Sequence, residues 1–292
     1  MQKFLNWLEK VLTPLAKIIG ENKYLIAIRD GFLISTPLLI VGSFFLLLAN
    51  FPIPNWSNMI SPILGNNWES LMSVPASASF DVMTILAVVG IAYSLGRQLE
   101  IDAIQSAALA LVSFFILTPY TTLFTPENST KVYEVTSLPL KWMGSSGLFL
   151  GMIIALVSTR IFAAVIHRGW TIKMPDGVPP TVVKSFEALI PSFVVVTIMF
   201  VLNWLVSLTS MGNLQDVIFT FLQTPLLSLG NTLGAMIIAY LFLHFFWFFG
   251  INGSSVVGAV FNPVLRALSV ENMQAFKAVS YTHLRAHETR RH

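Results

Sequence analysis

Long apolar runs separated by short polar breaks organise this chain, and the lengths of the runs set the first expectation. The runs at about Gly31–Asn50, Phe80–Gly96, Ile101–Thr118, Gly147–Ile166, Ala188–Leu208 and Thr232–Phe249 approach the ~20 residues that carry a helix across a bilayer core. About six spanning helices are therefore predicted. Pro37 interrupts the first run, which a membrane helix tolerates when neighbours satisfy the freed backbone groups. Residues 1–20 differ: Phe4, Trp7, Leu8, Val11, Leu12 and Leu15 recur at helical spacing with Lys3, Lys10 and Lys17 between them. That is the pattern of an amphipathic helix lying on the membrane surface. Between the first two runs, Phe51–Ser79 reads as a polar loop dotted with Pro and Trp, and residues 119–146 as a mixed loop. Residues 214–229 are apolar but short, broken by Pro225 and polar at Gln215, Asp216 and Gln223, so an interfacial segment is expected. Asp81 and Asp102 precede apolar runs, where a carboxylate caps the helix and meets its dipole.

The pattern breaks most sharply at His244–Pro263, HFFWFFGINGSSVVGAVFNP. An apolar helix carrying His244 and several aromatics stops at Gly250 and turns through Asn252, Gly253, Ser254 and Ser255. Thirteen residues, Ile251–Pro263, then follow, too few to span and suited to a re-entrant segment. Irregular backbone at membrane depth is tolerated only where protein or a watery cavity surrounds it. A substrate site is expected here. A histidine within a span marks a functional site by default; the bland reading is a structural His bonded to a neighbouring carbonyl. Asn252, Ser254 and Asn262 supply neutral donors and acceptors, and Trp247 with the flanking phenylalanines supplies flat apolar surface. Such a lining suits an uncharged, polyhydroxylated ligand better than an ion.

Composition sharpens the class. Hydrophobic residues make up 55% and charged residues 11% of the chain, whereas soluble domains are roughly a quarter charged. There is no cysteine, so thiol chemistry and thiolate metal sites must belong to another chain. No metal site, cofactor or nucleic-acid partner is expected. No cleavable signal is apparent before the first span. The net charge of +3 decides little, but its distribution decides orientation. With the N-terminus in the cytoplasm, Lys23, Arg29, Arg97, Arg168, Lys173 and Lys184 fall inside, and Lys131 and Lys141 outside, as the positive-inside rule requires. Arg160 lies toward one end of the fourth run and can snorkel to the interface. Lys184 and Glu187, three apart on a short cytoplasmic helix starting near Pro179 and Pro180, can pair on one face or contact a partner. Residues alone leave three readings open: a permease coupled to modification of its solute, a secondary transporter or channel moving a neutral solute unmodified, and a membrane anchor without a ligand.

Two stretches in order, MPDGVPPTVVKSFEALIP at Met174–Pro191 and the His244–Pro263 run, resemble the membrane (enzyme IIC) component of bacterial phosphoenolpyruvate-dependent sugar phosphotransferase systems, lactose/cellobiose type. The resemblance extends over roughly residues 1–279. It implies an all-α polytopic permease of the bacterial cell membrane, with about six spans in this chain, interfacial amphipathic helices and one re-entrant hairpin. The implied unit is a homodimer that binds a β-linked disaccharide. It presents the sugar to a phosphocysteine on a separate IIB protein, which IIA recharges, and has no phosphorylated residue of its own. The implied organisation is an N-terminal part at 1–210 with the dimer contact and the 167–187 linker, then the start of a transport domain at 211–279 with its hairpin at 250–263.

His244 and the Gly250–Gly253 turn match the family's sugar-binding region. Many members have a second histidine where this chain has Asn252, and an asparagine hydrogen-bonds but exchanges no proton near neutral pH. The family's later spans and its Asn-Glu-Pro glutamate, the catalytic carboxylate, have no counterpart here. After Val279 the chain turns polar and rich in His and Arg at 280–292, a stretch read as foreign tail rather than as a basic or metal-binding one. The expectation is a permease lacking its C-terminal spans, with part of the site present and no transport by this chain alone.

Overall fold

The computed structural model describes residues 21–51, 53, 55–125, 131–175, 177–230, 232–248, 257, 261 and 264–273. The expected surface helix at 1–20, the Asn-Ser-Thr at 128–130 and the 280–292 stretch lie outside the described residues. Helix α1 (Lys23–Ala49) starts where Asn22 Oδ1 accepts from the amides of Tyr24 and Leu25, satisfying two of the four orphan donors of a helix start. It contains Pro37 and continues through it.

The expected loop at Phe51–Ser79 is instead largely helical, as α2 (Trp56–Leu64) and α3 (Trp68–Phe80). The prolines suggested a loop, but an aromatic cluster organises the segment. Trp56 stacks on Phe51 at 5.2 Å and meets Trp68 edge-on at 6.4 Å. Its indole N–H donates to Leu48 O at 2.8 Å, and Trp68 is buried. Pro62 and Pro75 are carried inside the two helices.

Helix α4 (Met83–Gln98) is the centre of the molecule: Val88, Ile91, Ala92 and Leu95 are fully buried. Asp81 does not cap it. That residue is the C-terminal cap of α3, and Val82 takes the N-cap position without a side-chain bond. Helix α4 ends in a Schellman turn: Ile101 N donates to Gly96 O at 3.1 Å and Glu100 N to Arg97 O at 3.2 Å. Glu100 holds the left-handed position, φ 57, which glycine usually fills. Asp102 then caps α5 (Ala103–Ile116) as expected, its Oδ1 accepting from Ile104 and Gln105.

After α5 come two strands, β1 (Thr121–Phe124) and β2 (Tyr133–Thr136), paired antiparallel with Thr121 opposite Thr136. The expected mixed loop therefore contains a hairpin, and the fold is helical with one small exposed sheet rather than all-α. Short α6 (Leu140–Met143) and a 3-10 turn at Ser145–Gly147 lead into α7 (Leu148–His167). Next come α8 (Pro180–Glu187), with proline in its first turn, and α9 (Leu189–Ser207). Helix α10 (Leu214–Ile218), a π-helical turn at Phe219–Gln223 and α11 (Thr224–Gly230) precede α12 (Leu233–Phe248). Residues 264–273 are helical.

Four helical stretches among the described residues are long and apolar enough to cross a membrane: Lys23–Ala49, Trp68–Gln98, Ser145–His167 and Pro180–Ser207. Ala103–Ile116 and Leu233–Phe245 are shorter apolar helices. They occupy the places of the third and sixth predicted spans.

The core joins α1, α4, α5 and α7, and small residues allow their backbones to meet. A Cβ on Gly31 would lie 2.5 Å from Ile91 N, and one on Gly90 would lie 2.6 Å from Gly31 O. The two glycines are thus seated on each other's backbones, the small-residue contact by which apolar helices gain dispersion energy without help from water. Gly96 makes the corresponding approach to α5, 3.0 Å from Ala103 Cα.

The 214–230 segment is not merely interfacial. Gln215 and Gln223 are both 1% exposed. Gln215 Nε2 donates to Thr118 Oγ1 at 2.9 Å, and Gln223 Nε2 to Ser145 O at 2.9 Å. These bonds fasten the segment to the end of α5 and the start of α7. The π turn displaces the polar positions from simple helical spacing, and Thr224 Oγ1 accordingly reaches back five residues to Phe219 O at 2.9 Å.

Two outcomes are expected in thermal unfolding of the detergent-purified chain. Gly31→Ala destabilises it by roughly 1–3 kcal/mol, because backbone rather than a flexible side chain opposes the new methyl; Gly234→Ala, which meets nothing within 4 Å, leaves the midpoint unchanged or slightly raised. Gln215→Glu, which places an unpaired charge in the buried segment, lowers the midpoint by the equivalent of about 3–5 kcal/mol, whereas the similarly sized Gln215→Leu has a much smaller effect.

Candidate functional site

His244 lies four residues from the end of α12, exposed and without a hydrogen-bond partner among the described residues. The bland reading, a histidine bonded to a neighbouring carbonyl, finds no support among them. Trp247 belongs to the same helix, one residue before its end. Asn252, Ser254 and Asn262 lie outside the described residues, so the structure does not assemble the expected site.

Its surroundings are partly described. Ala239 and Val257 form a small buried cluster, with Leu243, Phe245 and Phe261 packed against it. Val257 and Phe261, both helical, thus lie back along the helix that the chain has just left.

Beyond the hairpin the chain rejoins the main core. Val264, Ala267, Leu268 and Val270 are buried there together with Leu227 of α11. A Cβ on Gly230 would meet Val264 Cγ1 at 2.5 Å. Arg266 reaches the middle of α1: its Nη2 donates to Thr36 Oγ1 at 2.7 Å, and its guanidinium stands 5.4 Å from the Phe32 ring centroid. The Thr36 hydroxyl in turn donates to Phe32 O at 2.9 Å, which leaves its lone pairs free for the arginine. No local signal joins Arg266 to Thr36, 230 residues away.

Lys184 and Glu187 stand on α8, but they do not form the expected i,i+3 pair. Lys184 Nζ turns instead to Asp102 Oδ2 at 3.5 Å, and Gln105 Nε2 donates to Lys184 O at 3.1 Å. The start of α5 outcompetes Glu187 because the Asp102 carboxylate is already held in place by the two amides it caps. Lys184 is 62% exposed, so the pair contributes little stability and serves chiefly to locate α8.

Around it is an open cavity of about 340 Å³, lined by Glu100, Asp102, Gln105, Lys184 and Glu187. Three carboxylates face one ammonium there. The arrangement repels a free phosphate and suits a surface contact with a partner carrying basic groups. No group of three His, Cys, Asp or Glu residues among the described residues could hold a metal ion.

Comparison with known proteins was made on this geometry. The family described as "Phosphotransferase system, EIIC" matches residues 29–291. The chain is 37% identical over 278 residues to the PTS system cellobiose-specific EIIC component of Geobacillus stearothermophilus, covering 95% of this chain and 62% of that protein. It is 39% identical over 279 residues to the lichenan permease IIC component of Bacillus subtilis (strain 168), at 95% and 62% coverage. Among solved structures it is similar to the transporter ChbC, the IIC component from the N,N'-diacetylchitobiose-specific phosphotransferase system. That likeness has a TM-score of 0.90 and 39% identity, and covers 94% of this chain and 63% of the other. The chain thus spans less than two thirds of the length of these relatives. A family match over most of the chain and a shared fold agree, and the chain belongs to the phosphotransferase system EIIC family.

Proposed function

We propose that this chain is the sugar-binding part of a permease that takes up a β-linked disaccharide of the cellobiose or chitobiose class. The observation that carries this reading is the agreement of its relatives, named for cellobiose, lichenan and diacetylchitobiose. All three ligands are built from β-linked pyranose units, whose equatorial hydroxyls ask for a hydrogen-bonding rim and whose ring faces ask for apolar surface. The hairpin around Asn252, Ser254 and Asn262, with His244 and Trp247 on the helix before it, supplies both kinds of group.

In this reading His244 bonds a sugar hydroxyl, Trp247 contacts a ring face, and the three polar residues of the hairpin hold the rim. The sugar is presented at the cytoplasmic face to a phosphocysteine on a IIB protein, which a IIA protein recharges. The carrier approaches the surface bearing Lys184 and Glu187. The chain sits in the bacterial cell membrane with its N-terminus in the cytoplasm, the orientation supported by Lys23, Arg29, Arg97, Arg168, Lys173 and Lys184. Two copies associate through residues 1–210, and residues 211–279 begin the transport domain. Uptake that depends on the phosphocysteine carrier distinguishes this reading from a transporter that moves its solute unmodified.

The test is equilibrium binding to the purified chain by calorimetry. Cellobiose or diacetylchitobiose should bind while sucrose does not, and His244→Ala should weaken binding at least about tenfold through loss of a hydrogen bond to the sugar. Binding unchanged in His244→Ala, or equal binding of sucrose, would overturn the assignment.

A further inference from the structure

A second cavity, of about 590 Å³, lies between α1 and α4. Its α1 wall is Ile26, Asp30 and Ile34, spaced four apart along one face; its α4 wall includes Tyr93, Arg97 and Gln98. The polar groups gather at one end, where α1 starts and α4 stops. From Ile26 to Ile34 the groove runs eight residues along a spanning helix, or about 12 Å at 1.5 Å per residue. One end is thus at the membrane surface and the other within the apolar zone.

The polar end has unused capacity for a negatively charged ligand. Arg97 is exposed and has neither an ion pair nor a hydrogen-bond partner among the described residues. Gln98 Nε2 is buried and donates to nothing, and an unpartnered buried donor is costly to keep without an acceptor. The one carboxylate of the groove, Asp30, is already paired with Arg29 at 2.7 Å. Lys23 Nζ stands beside it, donating to Gln98 O at 3.2 Å. With Asp30 paired to Arg29, Arg97 and Lys23 remain as surplus positive charge, at the end of α4 whose helix dipole favours positive side chains. Tyr93 adds an amphipathic ring of the kind that settles at the headgroup level.

We propose that this groove is a binding site for an anionic phospholipid. The phosphate is held by the Arg97 guanidinium and the Gln98 amide, and an acyl chain lies along Ile26 and Ile34. A guanidinium fork matches the paired oxygens of a phosphodiester, and basic pockets between membrane helices recognise such headgroups. Length and polarity together select a lipid over a free anion, because a free phosphate has no use for the apolar half of the groove. The site is separate from the sugar site, and lipid bound there wedges α1 against α4 beside the close contact of Gly31 with Gly90.

The test uses the purified 292-residue chain, stripped of lipid in a neutral detergent and followed by native mass spectrometry and thermal unfolding. Phosphatidylglycerol should form a retained one-lipid adduct and raise the Tm at lower concentration than phosphatidylcholine does. Arg97→Gln should reduce that preference about fivefold, the worth of one basic residue at a membrane surface, while Arg97→Lys keeps most of it. Arg168→Gln, at an arginine 5.9 Å from the Trp170 ring and away from the groove, should leave it intact. Gln98→Leu removes the free donor without changing charge and should weaken the adduct on its own, so that the proposal does not hang on one variant. Equal response to the two lipids, or a preference that survives Arg97→Gln, would overturn the proposal. So would the same Tm rise with inorganic phosphate alone, which would mark a simple anion site, or dimerisation on delipidation that Arg97→Gln abolishes, which would mark a second copy as the occupant.

Discussion

The contact of Gly31 with Gly90 is the constraint on which the rest of the structure depends. Where water is absent there is no hydrophobic force to press one apolar helix on another, and association relies on close packing. At this crossing a Cβ on Gly90 would strike Gly31 O at 2.6 Å, and one on Gly31 would strike Ile91 N at 2.5 Å. That brings α1 and α4 together at backbone distance and lets Ile91, Ala92 and Leu95 be fully buried. Helices α5 and α7 then pack on the remaining faces of α4, again over small residues: Gly96 against α5, and Gly151 against Thr84 and Val88. Bulk at any of these points would separate the layers that position everything downstream.

The later part of the chain joins that bundle through apolar contacts of Val195, Met199, Leu227 and Val264, and a few polar ties fix its position. Gln215 holds Thr118, Gln223 holds Ser145, Gln105 holds Lys184, and Arg266 holds Thr36. Each joins a segment after residue 180 to one before it. Away from water such bonds cannot be exchanged for bonds to solvent, so they fix position more than their modest energies suggest.

How much was legible in the sequence differed from element to element. The runs now seen as α1, α7 and α9 were marked by length and apolarity alone, and Asp102 by its place before α5. Phe51–Ser79 was misread because Pro62 and Pro75 argue against helix, while the aromatic packing of Trp56 and Trp68 that overrides them is not a local signal. The hairpin at Thr121–Phe124 and Tyr133–Thr136 was missed because two four-residue strands exposed on every position show no alternation. In the candidate site, the helix carrying His244 was plain from the pattern, and the expected break after it lies outside the described residues. The pairing of Lys184 was not, since Glu187 is its neighbour in sequence and Asp102 its neighbour in space.

What the sequence by itself determined is the class of the molecule. Apolar runs of spanning length and scarce charge follow from the solvent, because lipid rejects free charge and unpaired backbone wherever they fall along the chain. Only the tertiary structure decided which glycines meet, which glutamines are buried, and that Arg97 and Gln98 stand unpaired beside a groove between two helices. Those outcomes depend on how one helix is rotated against another, and rotation is set by packing between residues far apart in the chain.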